Sequence, residues 1–225
     1  YLSLALGEVD KRQAYFLRYE PFAEDLTAHG FAVVGHDHLG HGQSVAEGAA
    51  RLYFGPKGSW DWVVDDIYTR RQLAGKRFPG VPYFLLGHSM GSFLARTYLI
   101  RYPGTVDGAV IMGTGQMTPA VIAGGKAFAA AEARRLGEDQ ISPAVEKLSF
   151  GTYNKIFAPN RTGFDWLSLN MENVDRYLED PLCGGSATIG LFREMLGGLS
   201  LIAKPENLKK MNLNTPILFI SGAMD

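Results

Sequence analysis

The chain has 225 residues, 46% of them hydrophobic and 20% charged, with a formal net charge of −1. That balance suits one globular domain with a substantial core, and it leaves no electrostatic case for binding nucleic acid or an anionic membrane surface. No apolar run approaches ~18 residues, so no membrane span is expected. The opening Tyr1-Leu2-Ser3-Leu4-Ala5-Leu6 has neither a basic leader nor a starting Met and reads poorly as a signal peptide. The one cysteine, Cys183, allows no internal disulfide and fits a reducing cytoplasm. With Gly184-Gly185 beside it and no histidine after it, Cys183 does not read as a nucleophile. The missing Met and the abrupt end at Asp225 are expected of a piece of a longer protein, truncated at both ends.

Leu2–Leu6 reads as a short strand. From Tyr15 to His29 the apolar residues Phe16, Tyr19, Phe22, Ala23 and Leu26 recur at helical spacing, and His29-Gly30 closes that helix. Phe31–Gly35 is a β-rich run of the kind buried in a parallel sheet. The next stretch is His36-Asp37-His38-Leu39-Gly40-His41-Gly42-Gln43-Ser44. Three histidines and an aspartate within six residues invite a zinc reading. No other segment offers a matched ligand, however, so a tight hydrogen-bonded loop is the expectation and no metal is assigned. Ser59 to Phe78 reads as an amphipathic helix with Ser59 as N-cap. Its core stripe is expected to be Trp62, Val63, Ile67 and Leu73, with Asp65, Asp66, Arg70 and Arg71 towards solvent.

Val81–Leu86 is an apolar run that predicts a buried parallel strand. A helix follows, with Phe93, Leu94, Tyr98 and Leu99 on one face and Arg96 and Arg101 on the other, stopped by Tyr102-Pro103-Gly104. Between them Gly87-His88-Ser89-Met90-Gly91 has the G-x-S-x-G spacing of a nucleophile elbow. A serine in so tight a strand-to-helix turn has strained backbone angles, and the two glycines remove side chains that would collide there. The turn also sets the Ser89 hydroxyl at a helix N-terminus, where free N–H groups stabilise developing negative charge. Gly108–Gly113 is a further strand, so the order strand, helix, strand, helix, strand predicts an α/β fold with a parallel sheet.

Residues 117–205 hold no convincing strand. Helices over Pro119–Leu136, Pro143–Ile156, Asn173–Leu178 and Ala187–Leu199 predict a helical cap (117–205) inserted in an α/β core made of 1–116 and 206–225. Phe128, Phe150, Tyr153, Phe157, Phe164, Trp166, Phe192 and Met195 either line an apolar acyl pocket or form the cap's own core. Glu206–Met211 reads as a short helix and Thr215–Gly222 as the last strand, with Asp225 just past it.

In an open parallel sheet the active site lies outside the carboxyl ends of the strands. Ser89 and Asp225 each follow such a strand. The strand ending at Gly113 leads into Thr114-Gly115-Gln116, which contains no acid, so Asp225 is favoured as the carboxylate of a Ser-His-Asp triad. Arg18-Tyr19-Glu20 with Phe22-Ala23, the His36–Ser44 stretch, Leu85–Gly91, Asp180-Pro181 and Ser221–Asp225 together carry a family likeness. From about Arg18 to its end, the chain resembles the α/β-hydrolase family in its monoacylglycerol lipase and lysophospholipase branch, often grouped with serine aminopeptidase-like hydrolases. The resemblance implies Ser89 as nucleophile, the Met90 N–H as an oxyanion donor and Asp225 as triad acid. It further implies hydrolysis of a monoacylglycerol, lysophospholipid or short acyl ester through an acyl-enzyme, without a cofactor. Two departures stand out. The family's His-Gly pair before the Arg-Tyr is absent from Leu6–Gln13, and no histidine follows Asp225. His88 lies in the elbow, its ring expected to point away from Ser89. The leading expectation is a parent protein that supplies a histidine beyond Asp225. The alternatives are a non-catalytic fragment, or thioester or peptide hydrolysis on the same scaffold.

Overall fold

Five short aliphatic runs form the sheet: Leu2–Leu6 (β1), Val33–Gly35 (β2), Phe84–His88 (β3), Gly108–Met112 (β4) and Ile217–Ile220 (β5). In the computed structural model, which describes residues 2–6, 15–151 and 153–222 (the backbone alone for 2–6, 149 and 150), they pair in parallel in the order β2-β1-β3-β4-β5. Leu6 pairs with His88, His88 with Met112 and Met112 with Ile220, which aligns the carboxyl ends of four strands along one edge. The helices are Glu20–Ala28 (α1), Ser59–Arg77 (α2), Met90–Arg101 (α3), Pro119–Leu136 (α4), Pro143–Phe150 (α5), Met171–Glu179 (α6), Ile189–Ile202 (α7) and Pro205–Leu208 (α8). No helix among the described residues is long and apolar enough to cross a membrane.

β3 is apolar from Phe84 to Leu86 because both its faces are covered. Leu85 faces the main core with α2, α3 and α7, while Leu86 packs with Phe16, Tyr19, Leu26, Val33 and Val110 on the other side. The expected Tyr15–His29 helix is divided: Phe16–Tyr19 is a 3-10 turn and α1 starts at Glu20. Pro21 explains the division, since it has no N–H to continue a helix from the preceding turn and favours a first-turn position. Phe22, expected on the apolar face, is exposed.

The buried face of α2 is Trp60, Val63, Val64, Ile67 and Ala74, whereas Trp62 and Leu73 are each 50% exposed. Trp60 decides the rotation of the helix. Its ring occupies the space left by Gly198 of α7, where a Cβ would fall 2.3 Å from it, and its Nε1 donates to Thr97 Oγ1 of α3 at 3.2 Å. Ser59 is not the N-cap; Gly58 is, with φ +97°. The acceptor comes from another helix. Glu194 of α7, itself buried, takes hydrogen bonds on Oε2 from the backbone N–H groups of Gly58 (3.0 Å) and Trp60 (3.1 Å). An anionic acceptor at this end also suits the helix dipole.

Within 117–205, α4 has the expected bounds. The helix expected over Pro143–Ile156 breaks at Gly151 into α5 and a 3-10 turn over Tyr153–Phe157. Ile122 and Ala129 of α4, and Phe192, Met195 and Leu199 of α7, lie in the same apolar cluster as α2 and α3. Phe164, Val174 and Tyr177 form a separate small cluster. An antiparallel bridge joins Ile141 to Thr188. Ser142 and Thr188 are buried there, and their hydroxyls cap α5 and α7 by accepting from Val145 N (3.3 Å) and Leu191 N (3.2 Å).

Glu194→Ala should therefore remove the acceptor of the Gly58 N–H and of the buried Trp60 N–H and lower the unfolding free energy of the full-length protein by about 1–3 kcal/mol in urea titrations. Glu194→Gln, which keeps a neutral acceptor, should lose roughly half as much. Equal stabilities would rule out the interhelical cap.

Candidate active site

β3 ends at His88 and α3 begins at Met90, so Ser89 alone makes the turn, with φ +52° and ψ −117°. Few non-glycine residues adopt this conformation, and it persists only where its surroundings enforce it. They do so here. The Ser89 N–H donates to Met112 O at the end of β4 (3.0 Å), while the Ser89 carbonyl accepts from both Ser92 N (2.9 Å) and Ser92 Oγ (2.5 Å). The Ser89 side chain makes no capping bond to α3. Gly87 is required by close approach: a Cβ there would lie 2.2 Å from the Gly91 carbonyl oxygen and 2.9 Å from Ala95 Cβ. Met90, the proposed oxyanion donor, is the first residue of α3 and is buried. The His88 ring packs against Gly113 at the end of β4, with Nε2 3.3 Å from where a Cβ of that glycine would stand. Asp225 and residues 7–13, where the family's second oxyanion donor would fall, lie outside the described residues.

The His36–Ser44 stretch is organised by its aspartate. Asp37 accepts from Phe16 N on Oδ1 (2.7 Å) and from Gln43 N on Oδ2 (2.8 Å), so both oxygens go to backbone. Gly42, at φ +48°, makes way for that carboxylate, since a Cβ would sit 2.1 Å from Oδ2. His38 is buried against His36 (ring centroids 5.0 Å apart) and His41 (6.3 Å), and His41 Nδ1 bonds the Leu39 carbonyl at 2.9 Å. Neither ring nitrogen of His38 has a hydrogen-bond partner among the described residues. Burial pushes His36 and His41 down to about 4 from the ordinary 6.5. Burial, together with its two histidine neighbours, holds His38 well below 6.5. Among the described residues no three His, Cys, Asp or Glu side chains converge as a metal site.

Cys183 is half-buried, and burial pushes its thiol up to about 12 although the Arg18 guanidinium lies 3.7 Å from the sulfur. A thiol so held stays protonated and is a poor nucleophile. The sequence reading misses Arg96. Assigned to an outer face of α3, it instead bonds three successive residues of the segment after β4, Thr114, Gly115 and Gln116. Its signal is hard to read in sequence because α3 is buried nearly all round and has no single outer face.

The profile of the family described as "Serine aminopeptidase, S33" matches residues 12–225. The human monoglyceride lipase is 30% identical over 209 residues, which cover 92% of this chain and 60% of that protein. The monoacylglycerol lipase of Mycolicibacterium smegmatis is 29% identical over 211 residues, or 92% and 65% of the two chains. The chain thus spans 60% of the length of the mammalian relatives that it matches. Among solved structures, a thermostable carboxyl esterase from Bacillus coagulans superposes with a TM-score of 0.82 at 22% identity, covering 96% of this chain and 68% of that one. A Paleococcus ferrophilus monoacylglycerol lipase gives 0.61 at 19% identity, with coverage of 98% and 84%.

Two measurements test this geometry. The histidines bind protons at their ordinary value when unfolded but resist them when folded, so stability is complete above pH 7 and falls from about pH 6.5 towards pH 4. Thermal midpoints between pH 7.5 and 4.5 should show that decline, and His36→Asn should make it shallower. Gly87→Ala should destabilise the fold by about 2 kcal/mol or more in chemical denaturation, because the added methyl meets backbone.

Proposed function

The chain belongs to the serine aminopeptidase S33 family, with the α/β-hydrolase fold, and on that premise we propose that it is a serine esterase of the monoacylglycerol lipase type. The observation that carries the reading is Ser89, held at φ +52° between β3 and α3 at the carboxyl edge of the sheet. The Ser89 oxygen attacks the ester carbonyl while a histidine takes its proton. The Met90 N–H, at the positive end of α3, stabilises the oxyanion. Collapse of the tetrahedral intermediate returns that proton to the departing alcohol and leaves the acyl group on Ser89, and water then releases the acid by the same steps. Asp225 is proposed to orient the histidine, which the family order of serine, aspartate and histidine puts after Asp225. The substrates proposed are monoacylglycerols, lysophospholipids or short acyl esters, with residues 117–205 as the cap over them. The lipase names of the relatives favour esters over the amide bonds suggested by the family's description. The lone cysteine supports a cytoplasmic setting.

Treatment of the full-length protein with a fluorophosphonate should give an adduct on the Ser89 peptide that is absent in Ser89→Ala. That variant should also lose at least about 10³-fold in kcat on a monoacylglycerol. Adduct-free, folded wild-type protein would point to a non-catalytic role. Faster turnover of thioesters or aminoacyl amides than of esters in the same assay would redirect the substrate class.

A further inference from the structure

The nucleophile helix carries a half-buried cation that no carboxylate faces among the described residues. Arg96 stands two turns of α3 beyond Ser89, and burial is the one influence on its proton affinity, lowering it. Its guanidinium donates from Nη1 to Thr114 Oγ1 (3.2 Å) and the Gly115 carbonyl (3.0 Å), and from Nη2 to Gln116 Oε1 (3.0 Å). Phe93, one turn earlier in α3, helps: its ring lies 3.8 Å from where a Cβ of Gly115 would be. The segment so gripped starts beside the nucleophile, because Met112 O accepts the Ser89 N–H and the next N–H, that of Gly113, is tied to Ile220 O at 2.9 Å. It ends at Thr118, whose hydroxyl caps α4. Residues 113–118 therefore run from the turn at Ser89 to the first helix of 117–205.

We propose that Arg96 is a positioning residue that fixes this segment as one wall of the acyl site and so sets the length of acyl chain admitted between Ser89 and α4; the inference rests on the esterase reading above. A planar fork suits the task. It reaches acceptors on three successive residues at once, whereas an ammonium on a flexible stem cannot hold the same three. A half-buried charge without a counter-ion among the described residues also draws on those acceptors, so the segment and the arginine hold each other in place. Loops at this edge of a parallel sheet shape the substrate site, and small displacements there have large kinetic effects.

The test uses the full-length protein, with Arg96→Met, Arg96→Lys and a Thr114→Val/Gln116→Ala double variant that leaves α3 intact. Hydrogen exchange reports on residues 113–121, and kcat and KM are measured on p-nitrophenyl esters from acetate to dodecanoate. Arg96→Met and the double variant should speed exchange in 113–121 and raise the ratio of long-chain to short-chain KM by about tenfold, with Arg96→Lys recovering only part of either. Unchanged exchange in 113–121, or a KM change equal for all chain lengths, overturns the proposal. Should Arg96→Met fail to fold, the double variant decides alone. Wild-type protein that hydrolyses no ester would overturn the esterase reading and the chain-length role with it. Unchanged exchange alongside wild-type turnover would remove Arg96's role and leave that reading intact.

Discussion

The approach of α3 to β3 at Gly87 is the constraint from which the rest of the site follows. With a Cβ excluded by the Gly91 carbonyl 2.2 Å away, the helix lies directly against the strand it follows, and one residue must reverse the chain between them. That residue is Ser89, and its left-handed φ is the geometric result of the approach rather than a separate feature. The two hydrogen bonds from Ser92 to its carbonyl, and the one it makes to Met112, offset a conformation that would otherwise relax. Because α3 is so close, it is also buried on nearly every side, by β1 and β3 beneath and by α2 and α7 around it. The helix that follows Ser89 is thus held on nearly every side.

What was readable in the sequence was local and steric. The strand-turn-helix around Ser89 could be recognised because close approach demands glycine at a fixed spacing from the serine. The bounds of α4 were readable because Thr118-Pro119 starts a helix and Gly137, at φ +105°, ends one. The readings that failed depended on distant partners. Trp62 and Trp60 lie two residues apart, and only the gap at Gly198 decides which faces inward. The acceptor for the start of α2 is 136 residues from Gly58, beyond any local capping rule. Arg96 was legible as a cation on a helix but not as the tie of a neighbouring segment. The proposed acid, Asp225, lies outside the described residues, so its partnership with Ser89 stands as a proposal from sequence order and likeness.

The histidine-rich loop shows how a motif can suggest chemistry while serving architecture. Asp37 spends both carboxylate oxygens on backbone N–H groups, one of them at the start of the Phe16–Tyr19 turn, and thereby joins the end of β2 to the turn that leads into α1. The neighbouring imidazoles are packed as aromatic bodies, His41 against Phe54 and Phe54 against Trp60. The chain of rings runs from the loop to the same tryptophan that sets the rotation of α2.

The bridge between Ile141 and Thr188 bears on how this scaffold would be recombined with others. An exchange of everything between β4 and α8 would remove Glu194 from the start of α2, and Phe192 and Met195 from the main core. An exchange confined to 142–187 leaves α4, α7 and the contacts between them in place, and joins the foreign segment at two positions already held side by side. The seams for a chimaera that keeps the support of Ser89 are therefore at that bridge, inside the helical region rather than at its ends.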